Sequence, residues 1–450
     1  MPLSPARRAA FEILRRVEDE QAYASSLLAT IDKDLHVADR ALCHELVLGV
    51  LRRQLWLDRV LEHFAKRPLE KVDLAVRLSL RIGLYQLRFL SRIPPSAAVN
   101  ESVNLVRAAG LRSAAGFTNA ILRRAAREAK YDPAENISDP FEKIATQTSH
   151  PSWLIKRWAG ALGLEEAAAL AGANNQPAPS SFRLTAKAMA KDSEPQWIFE
   201  ELKAAGAEVQ PSKITLDAWR VIGQRPALLR DLTSAGLIYQ QDEASQLVAH
   251  FVDPKPGDRI LDVCAAPGSK TTHLGALSPQ AIIVAGDLYE HRLGILRELA
   301  GAQGSAPLEV ALDATGTLPF AAASFDHVLV DAPCSGTGTL RRNPEIRWRL
   351  NEQDIAELSS KQNRILKQAA KMVRPGGTLL YSTCSIESDE NEAVAAIFVT
   401  EHTEFEQLPL ANPQISSGVV DLGTAIGAIR TWPHLHDVDG FFMIAFQRRA

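Results

Sequence analysis

Residues 258–287 read DRILDVCAAPGSKTTHLGALSPQAIIVAGD. The runs DRILDVC and AIIVAGD are short and apolar, as buried strands are, and between them a turn of small residues opens a helical stretch. This is a strand–turn–helix–strand unit. LEVALD, DHVLVDA and GTLLYST repeat the apolar run further along, again separated by helical stretches, and together they predict a doubly wound, mostly parallel sheet. Such sheets bind ligands at the C-terminal ends of their strands. At those ends lie Asp262 to Lys270, Asp287, Asp313, Asp331 to Thr337 and Cys384.

The turn Cys264-Ala265-Ala266-Pro267-Gly268-Ser269-Lys270 reads as a cradle: its small residues let a ligand approach the backbone, and Pro267 stiffens it. Asp287 follows Gly268 by nineteen residues, the spacing at which a Rossmann-type carboxylate meets ribose hydroxyls. The chain has neither GxGxxG nor a GxxxxGKS/T P-loop, which disfavours a dinucleotide or a nucleoside triphosphate. An adenosine without a pyrophosphate cradle fits better, and S-adenosylmethionine is such a molecule. Asp313 would then meet the adenine amino group; as a helix or turn cap it has an equally simple role.

At 450 residues the chain exceeds a single core, and 46% hydrophobic with 23% charged residues is the mix of an ordinary globular protein. The opening MPLSPARRAAFEILRRVEDE is too charged for a signal peptide, and no apolar run reaches the roughly 18 residues of a membrane span. Cys43, Cys264, Cys334 and Cys384 are too scattered for a disulfide framework or a CxxC zinc site, so reduced thiols of a cytoplasmic protein are expected. Charge is uneven. Residues 1–130 hold 22 Lys and Arg against 14 Asp and Glu, whereas the remainder holds 28 against 39. A basic module on an acidic body suits phosphate contacts, although a solvated helical surface looks the same.

Across residues 5–130 apolar positions recur three and four apart, as in RALCHELVLGVLRRQLWLDRVLEHF and LAVRLSLRIGLYQLRFL, which predicts a bundle of about six helices. Ser4-Pro5 should open the first, and Cys43 should lie in the core. YDPAENISDP looks like a linker. Beyond it WLIKRWAGALG, SFRLTAK, QWIFEELKAAGA and ITLDAWRVIG alternate between helical and extended patterns, as in a small α+β domain.

Two further stretches carry the chemistry: DAPCSGTGTLRRNPEIRW from Asp331 and LLYSTCSIESDENE from Leu379. Together with CAAPGSK they resemble the RNA cytosine-5 methyltransferases, most nearly the bacterial small-subunit ribosomal RNA enzymes of the RsmB (Sun) type. The resemblance spans essentially the whole chain. It implies a multi-domain protein: an all-α NusB-like RNA-binding bundle over 1–135, a small α+β domain over 146–235, and a Rossmann-like class I methyltransferase domain over 236–450. TWPHLHDVDGFFMIAF resembles the family's closing strand pair. One departure stands out, because the family usually has CAAPGGK and here Ser269 replaces the second glycine. That matters little unless the residue needs positive φ.

The chemistry asks for these residue types. Carbon 5 of cytosine is too weak a nucleophile to take a methyl group until a thiolate has added to carbon 6, and a free thiol is mostly protonated at neutral pH. An acid at ring nitrogen 3 eases the addition, a place for Asp331, and a nearby cation favours the thiolate, a place for Lys270. A stacked base must also be flipped out or presented single-stranded, and Arg341, Arg342, Arg347 and Trp348 are positioned in sequence to hold RNA phosphates and stack on a base. Spacing does not rank the cysteines, since DNA cytosine-5 methyltransferases keep their nucleophile after a proline, as Cys334 is. The resemblance to the RNA family assigns Cys384 as nucleophile and Cys334 to product release.

The implied activity is methylation of 16S ribosomal RNA at cytosine 967, on naked or early-assembly RNA, by a monomeric, membrane-free, metal-free cytoplasmic enzyme using S-adenosylmethionine. Two alternatives remain: a transfer RNA cytosine-5 methyltransferase, and a non-catalytic RNA-binding or assembly protein on the same fold. The joint presence of Cys384, Cys334 and Asp331 argues against the second. His434 and His436 in PHLHD are read as packing or RNA contacts.

Overall fold

The computed structural model describes residues 3–31, 35–191, 195–223, 227–409 and 422–450. The chain divides into two compact units, 1–177 with 340–350 and 178–339 with 351–450.

The first unit is all α. Helices span Pro5–Asp19, Ala24–Ile31, Val37–Arg52, Gln54–Ala65, Leu74–Phe89, Pro95–Ala108 and Ala115–Arg127. Pro5 takes the first helical position, where its missing N–H costs nothing, and the preceding Ser4 makes no side-chain cap. The long run RALCHELVLGVLRRQLWLDRVLEHF is two helices because the backbone leaves helical geometry at Arg53, with φ −111°. Cys43 is fully buried in the bundle core with Leu46, Leu57, Leu61, Leu80 and Leu84. Some of the module's positive charge is spent inside it. Arg81, 4% exposed, bonds both oxygens of Asp58 (2.7 and 2.8 Å) and one of Glu18 (2.9 Å). Helices Pro140–Thr148, Ser152–Leu162 and Leu164–Ala173 complete the unit, so WLIKRWAGALG clusters with the bundle and not with the small sheet.

Residues 340–350, the stretch expected to hold RNA phosphates and stack on a base, also belong to this unit. Arg347 is fully buried, and its guanidinium donates to the Ser149 carbonyl (3.0 Å) and the Asn175 side-chain oxygen (3.1 Å). Burial, with repulsion from Arg52 and Arg53, pulls its pKa down. Arg341 is 3% exposed and donates to the Pro177 carbonyl (3.0 Å). Half-buried Trp348 directs its indole N–H toward the Leu51 carbonyl at 3.5 Å, and Arg342 is half-buried as well. Arg349 donates to the carbonyls of Val17, Gln21 and Ala22 (2.7–2.9 Å), closing the end of the first helix.

The second unit contains two sheets. In the smaller, β1 (Ser180–Leu184), β2 (Glu208–Pro211), β3 (Ala218–Ile222) and β4 (Ile238–Gln240) lie in the order β2-β3-β1-β4, all antiparallel. Helix Gln196–Ala204 buries Ile198 and Leu202 in the core of this layer, with Phe182 and Val221.

The larger sheet comprises β5 (Arg259–Asp262), β6 (Ile282–Asp287), β7 (Leu308–Ala311), β8 (Phe325–Asp331), β9 (Val373–Thr383), β10 (Phe405–Leu408), β11 (Ile429–Arg430) and β12 (Phe442–Arg448). Its order is β10-β12-β9-β8-β5-β6-β7, with β11 beside β12. The five strands β5 to β9 run parallel; at one edge β12 pairs antiparallel with β9, and β10 pairs antiparallel with β12. Alternation along the strands builds a core on each face: Leu261, Val328, Val330 and Leu379 on one, Ile260, Leu329 and Leu380 on the other. Both faces are covered, which is why these strands read as continuous apolar runs. The final stretch TWPHLHDVDGFFMIAF supplies part of β12 and the turn before it, where His436 Nδ1 accepts the Trp432 N–H at 2.8 Å.

Candidate active site

The strand order sets the site. Asp331, last in β8, pairs in register with Ser382 of β9, so the loops after these two strands, bearing Cys334 and Cys384, leave the same edge of the sheet side by side. After β5 the chain turns through Gly268 at φ +107° and enters helix Ser269–Leu277. Gly268 takes the left-handed conformation, where a Cβ would also lie 2.9 Å from Leu296. Ser269 is the first helical residue, so the Gly-to-Ser departure falls where any residue fits.

This turn is clasped from the small sheet. Arg183 of β1, 1% exposed, donates to the Ser269 carbonyl (3.1 Å), Thr272 Oγ1 (2.9 Å), and the side-chain oxygens of Gln241 (2.8 Å) and Gln303 (3.2 Å). The sequence reading missed it. Its signal was an arginine inside the strand SFRLTAK, a position that alternation leaves ambiguous.

An open-mouthed cavity of about 820 Å³ lies along the ends of β5, β6, β7, β8 and β9. Of the expected residues, Cys264, Ala266, Asp287, Asp313, Asp331, Cys334 and Cys384 line it; Ala265, Pro267, Gly268, Ser269 and Lys270 lie behind and shape the turn. Asp287 is held by the Ala266 and Tyr289 N–H groups (3.2 and 3.1 Å) and by Arg292 (3.2 Å), which also donates to the Ala266 carbonyl at 2.6 Å. Arg292 and Lys361, both in the cavity wall, had no sequence signal beyond helical periodicity. Asp313 is exposed and accepts from Thr315 N–H (2.9 Å) and Oγ1 (2.7 Å); these bonds, the side-chain one first, hold its carboxyl below the usual range. Burial, with the charges of Asp262, Asp331 and Asp287, pushes the Cys264 thiol far up, so it lines the cavity as a neutral group.

At the other end of the cavity the two thiols meet, with Cys334 Sγ and Cys384 Sγ 3.4 Å apart. The hydrogen bond with Cys384, burial and the nearby charges of Cys384 and Glu390 push the Cys334 thiol well up. Asp331 stands beside them, one oxygen accepting from Lys270 Nζ (2.6 Å) and the other from Ser382 Oγ (2.9 Å). Burial opposes the charge on Lys270, but Asp331 and Cys384 outweigh it and its pKa rises. Lys270 is thus held as a cation against Asp331. Gly338 lets the loops close: its N–H donates to the Cys384 carbonyl (3.0 Å), and a Cβ there would lie 2.0 Å from the Gly440 carbonyl oxygen.

A doubly wound sheet with a cavity along its strand ends is the Rossmann-like arrangement for ligand binding, and comparison with known proteins identifies the class as methyltransferase. Residues 249–447 match the family described as 16S rRNA methyltransferase RsmB/F, residues 4–127 the NusB family, and residues 150–227 the ferredoxin-like domain of RsmF/B-like methyltransferases. The "Probable ribosomal RNA small subunit methyltransferase B" of Bacillus subtilis is 34% identical over the full length of both chains, and the Yersinia enterocolitica "Ribosomal RNA small subunit methyltransferase B" is 32% identical over 98% of each. Among solved structures, that of PH0851 superposes with a TM-score of 0.82 and 28% identity, covering 100% of this chain and 99% of the other. The chain belongs to the RsmB/F family of 16S rRNA methyltransferases. It is an RNA methyltransferase with S-adenosylmethionine as cofactor.

Proposed function

We propose that the chain methylates carbon 5 of one cytosine of 16S ribosomal RNA, nucleotide 967, through a covalent bond from Cys384 to carbon 6. The observation that carries this reading is the pair of thiols 3.4 Å apart at one end of a cavity whose other end bears the strand-terminal carboxylates Asp287 and Asp313. The donor set fits S-adenosylmethionine: Asp287 would hold the ribose hydroxyls, Asp313 would meet the adenine amino group, and Val263, Leu312 and Ile365 would give apolar walls. When bound there, the cofactor supplies an electrophilic methyl group.

The chain's own residues do the rest. Cys384 adds to carbon 6 of the cytosine, which makes carbon 5 nucleophilic. Asp331, fixed by Lys270 and Ser382, meets the nitrogen 3 edge, where a proton bridging its carboxyl and nitrogen 3 neutralises the negative charge that thiolate addition puts on the ring. Cys334, whose thiol is pushed up, does not compete for carbon 6; in the last step a base takes the carbon 5 proton, the carbon 5–carbon 6 double bond reforms, the carbon 6–sulfur bond breaks and Cys384 leaves as thiolate, with Cys334 beside it to assist that release. The enzyme acts as a monomer on naked or early-assembly RNA. Transfer of labelled methyl to naked 16S rRNA, to small-subunit particles and to transfer RNA, followed by bisulfite sequencing, tests this. Label confined to nucleotide 967 of rRNA is expected. Label on transfer RNA alone overturns the substrate.

A further inference from the structure

Glu390 is fully buried in the short helical turn Ser388–Glu390 that follows Cys384, and the reaction as described does not use it. Its Oε1 accepts the Ser335 N–H (2.8 Å) and the Gln362 side-chain N–H (2.9 Å). Its Oε2 accepts the Ser385 hydroxyl (2.5 Å) and the hydroxyl of Ser335. Four donors meet two oxygens, which fills the acceptor sites of a carboxylate; burial pushes the Glu390 pKa up, and the hydrogen bonds from Ser335, Ser385 and Gln362 oppose it. None of the four is a cation. An apolar side chain would fill this space at lower cost, so the carboxylate must contribute direction and not merely volume.

What it directs is informative. Ser335 and Ser385 are the residues immediately after Cys334 and Cys384, and their hydroxyls also lie 3.0 Å from each other. The residues before the cysteines are tied to the same place. Gln362 Nε2 also donates to the Pro333 carbonyl (3.0 Å), and Asn391, next to Glu390, accepts the Thr383 hydroxyl (2.6 Å) and donates to the Ser385 carbonyl (2.9 Å). Both cysteines are thus bracketed, on each side, by residues anchored at one buried point.

We propose that Glu390 is a positioning residue of the catalytic centre: by gathering Ser335 and Ser385 onto one carboxylate it holds the Cys334 and Cys384 thiols toward a single cytosine. This rests on the covalent reading above. The negative charge has a second effect, because it is one of the groups, after the Cys384 hydrogen bond and burial, that keep the Cys334 thiol protonated.

Glu390→Gln keeps the shape but turns one acceptor into a donor that faces other donors. Its kcat for methyl transfer should fall about 100-fold, as for a small misplacement of reacting groups, while KM for S-adenosylmethionine stays within about twofold. The alkaline limb of its pH–rate profile should move to lower pH as Cys334 becomes easier to ionise. Ser385→Ala, which removes one of the four donors to Glu390 together with the hydroxyl that accepts the Glu387 N–H, should lower kcat about 10-fold and serves if Glu390→Gln does not fold. Wild-type kcat with an unmoved pH profile in a folded variant overturns the proposal, even if the melting temperature drops, since that is the mark of a structural role alone. Cys384→Ala assayed alongside separates the two levels. If it stays active, the covalent reading fails and the positioning role with it; if it is dead while Glu390→Gln and Ser385→Ala turn over normally, only the positioning role fails.

Discussion

Residues 331–339 and 340–350 follow one another without a break, yet they belong to different compact units and use their polar groups in opposite ways. In the first segment Asp331 and Cys334 face a cavity, half-buried, with bonding capacity left over. In the second, Arg341 and Arg347 are buried and their guanidinium groups point at carbonyl oxygens. A charge written in the sequence is therefore not yet a charge on the surface. What makes a residue available for chemistry is the hydrogen-bonding capacity that the fold leaves unspent.

The sharpest way to break this contrast is at the thiols. Cys384→Ala should lose methyl transfer by at least about 10³-fold and trap no RNA, whereas Cys334→Ala should accumulate a covalent RNA adduct, visible as a retarded band on a denaturing gel. Full activity in Cys384→Ala would remove the chemistry from this end of the cavity.

The arginine segment is tested next. Arg347→Met strands the Ser149 and Asn175 acceptors, so chemical denaturation should show a loss of about 2 kcal/mol, with the salt dependence of RNA binding unchanged. A salt slope reduced by about 1 with stability intact would return Arg347 to phosphate binding.

A smaller effect lies beneath the cavity. Burial pushes Asp262 up to about 7 from 3.8, against the hydrogen bond from Thr271. The native state then holds a proton that the unfolded chain has released between those values. Stability should accordingly fall as pH rises from about 4 to 7 and level off above. Urea midpoints across that window should show a slope, at most about 1.4 kcal/mol per pH unit, that Asp262→Asn lacks. Matching slopes in the two proteins would sink the assignment.

The smallest effect belongs to Asp313. Its exposed carboxylate should contribute about one hydrogen bond, so Asp313→Ala should raise KM for S-adenosylmethionine about fivefold with kcat unchanged. An unchanged KM would leave Asp313 as the cap of the turn at Thr315.

The large sheet was legible because most of β5, β6 and β8 and the second half of β9 are buried, and strands covered on both faces are apolar; β7, at the sheet's edge, is largely exposed. The small sheet was less so. β1 and β3 appear as SFRLTAK and ITLDAWRVIG, but β2 is only Glu208–Pro211 and β4 only Ile238–Gln240, too short and too mixed to stand out from loop. In the bundle the break at Arg53 left no mark, because arginine is a good helix former and only its backbone angles show the end of the helix. Arg183, Arg347 and Glu390 were hidden for a common reason: their partners are 55 or more residues away in at least one bond each, at Ser269, Ser149 and Ser335.

By itself the sequence implied the kind of reaction, through the joint resemblance of CAAPGSK, DAPCSGT and YSTCSI to the RNA cytosine-5 methyltransferases; the pattern of apolar strands, small-residue turn and strand-end carboxylates went no further than a strand-end nucleoside site. Only the tertiary structure decided how those groups meet. The register that sets Asp331 opposite Ser382 brings the two loops together, and one buried carboxylate then gathers the serines beyond both thiols. Residue identity dictates what a side chain can donate or accept; which partner it finds depends on strand order and burial, and these arise from the packing of the whole chain.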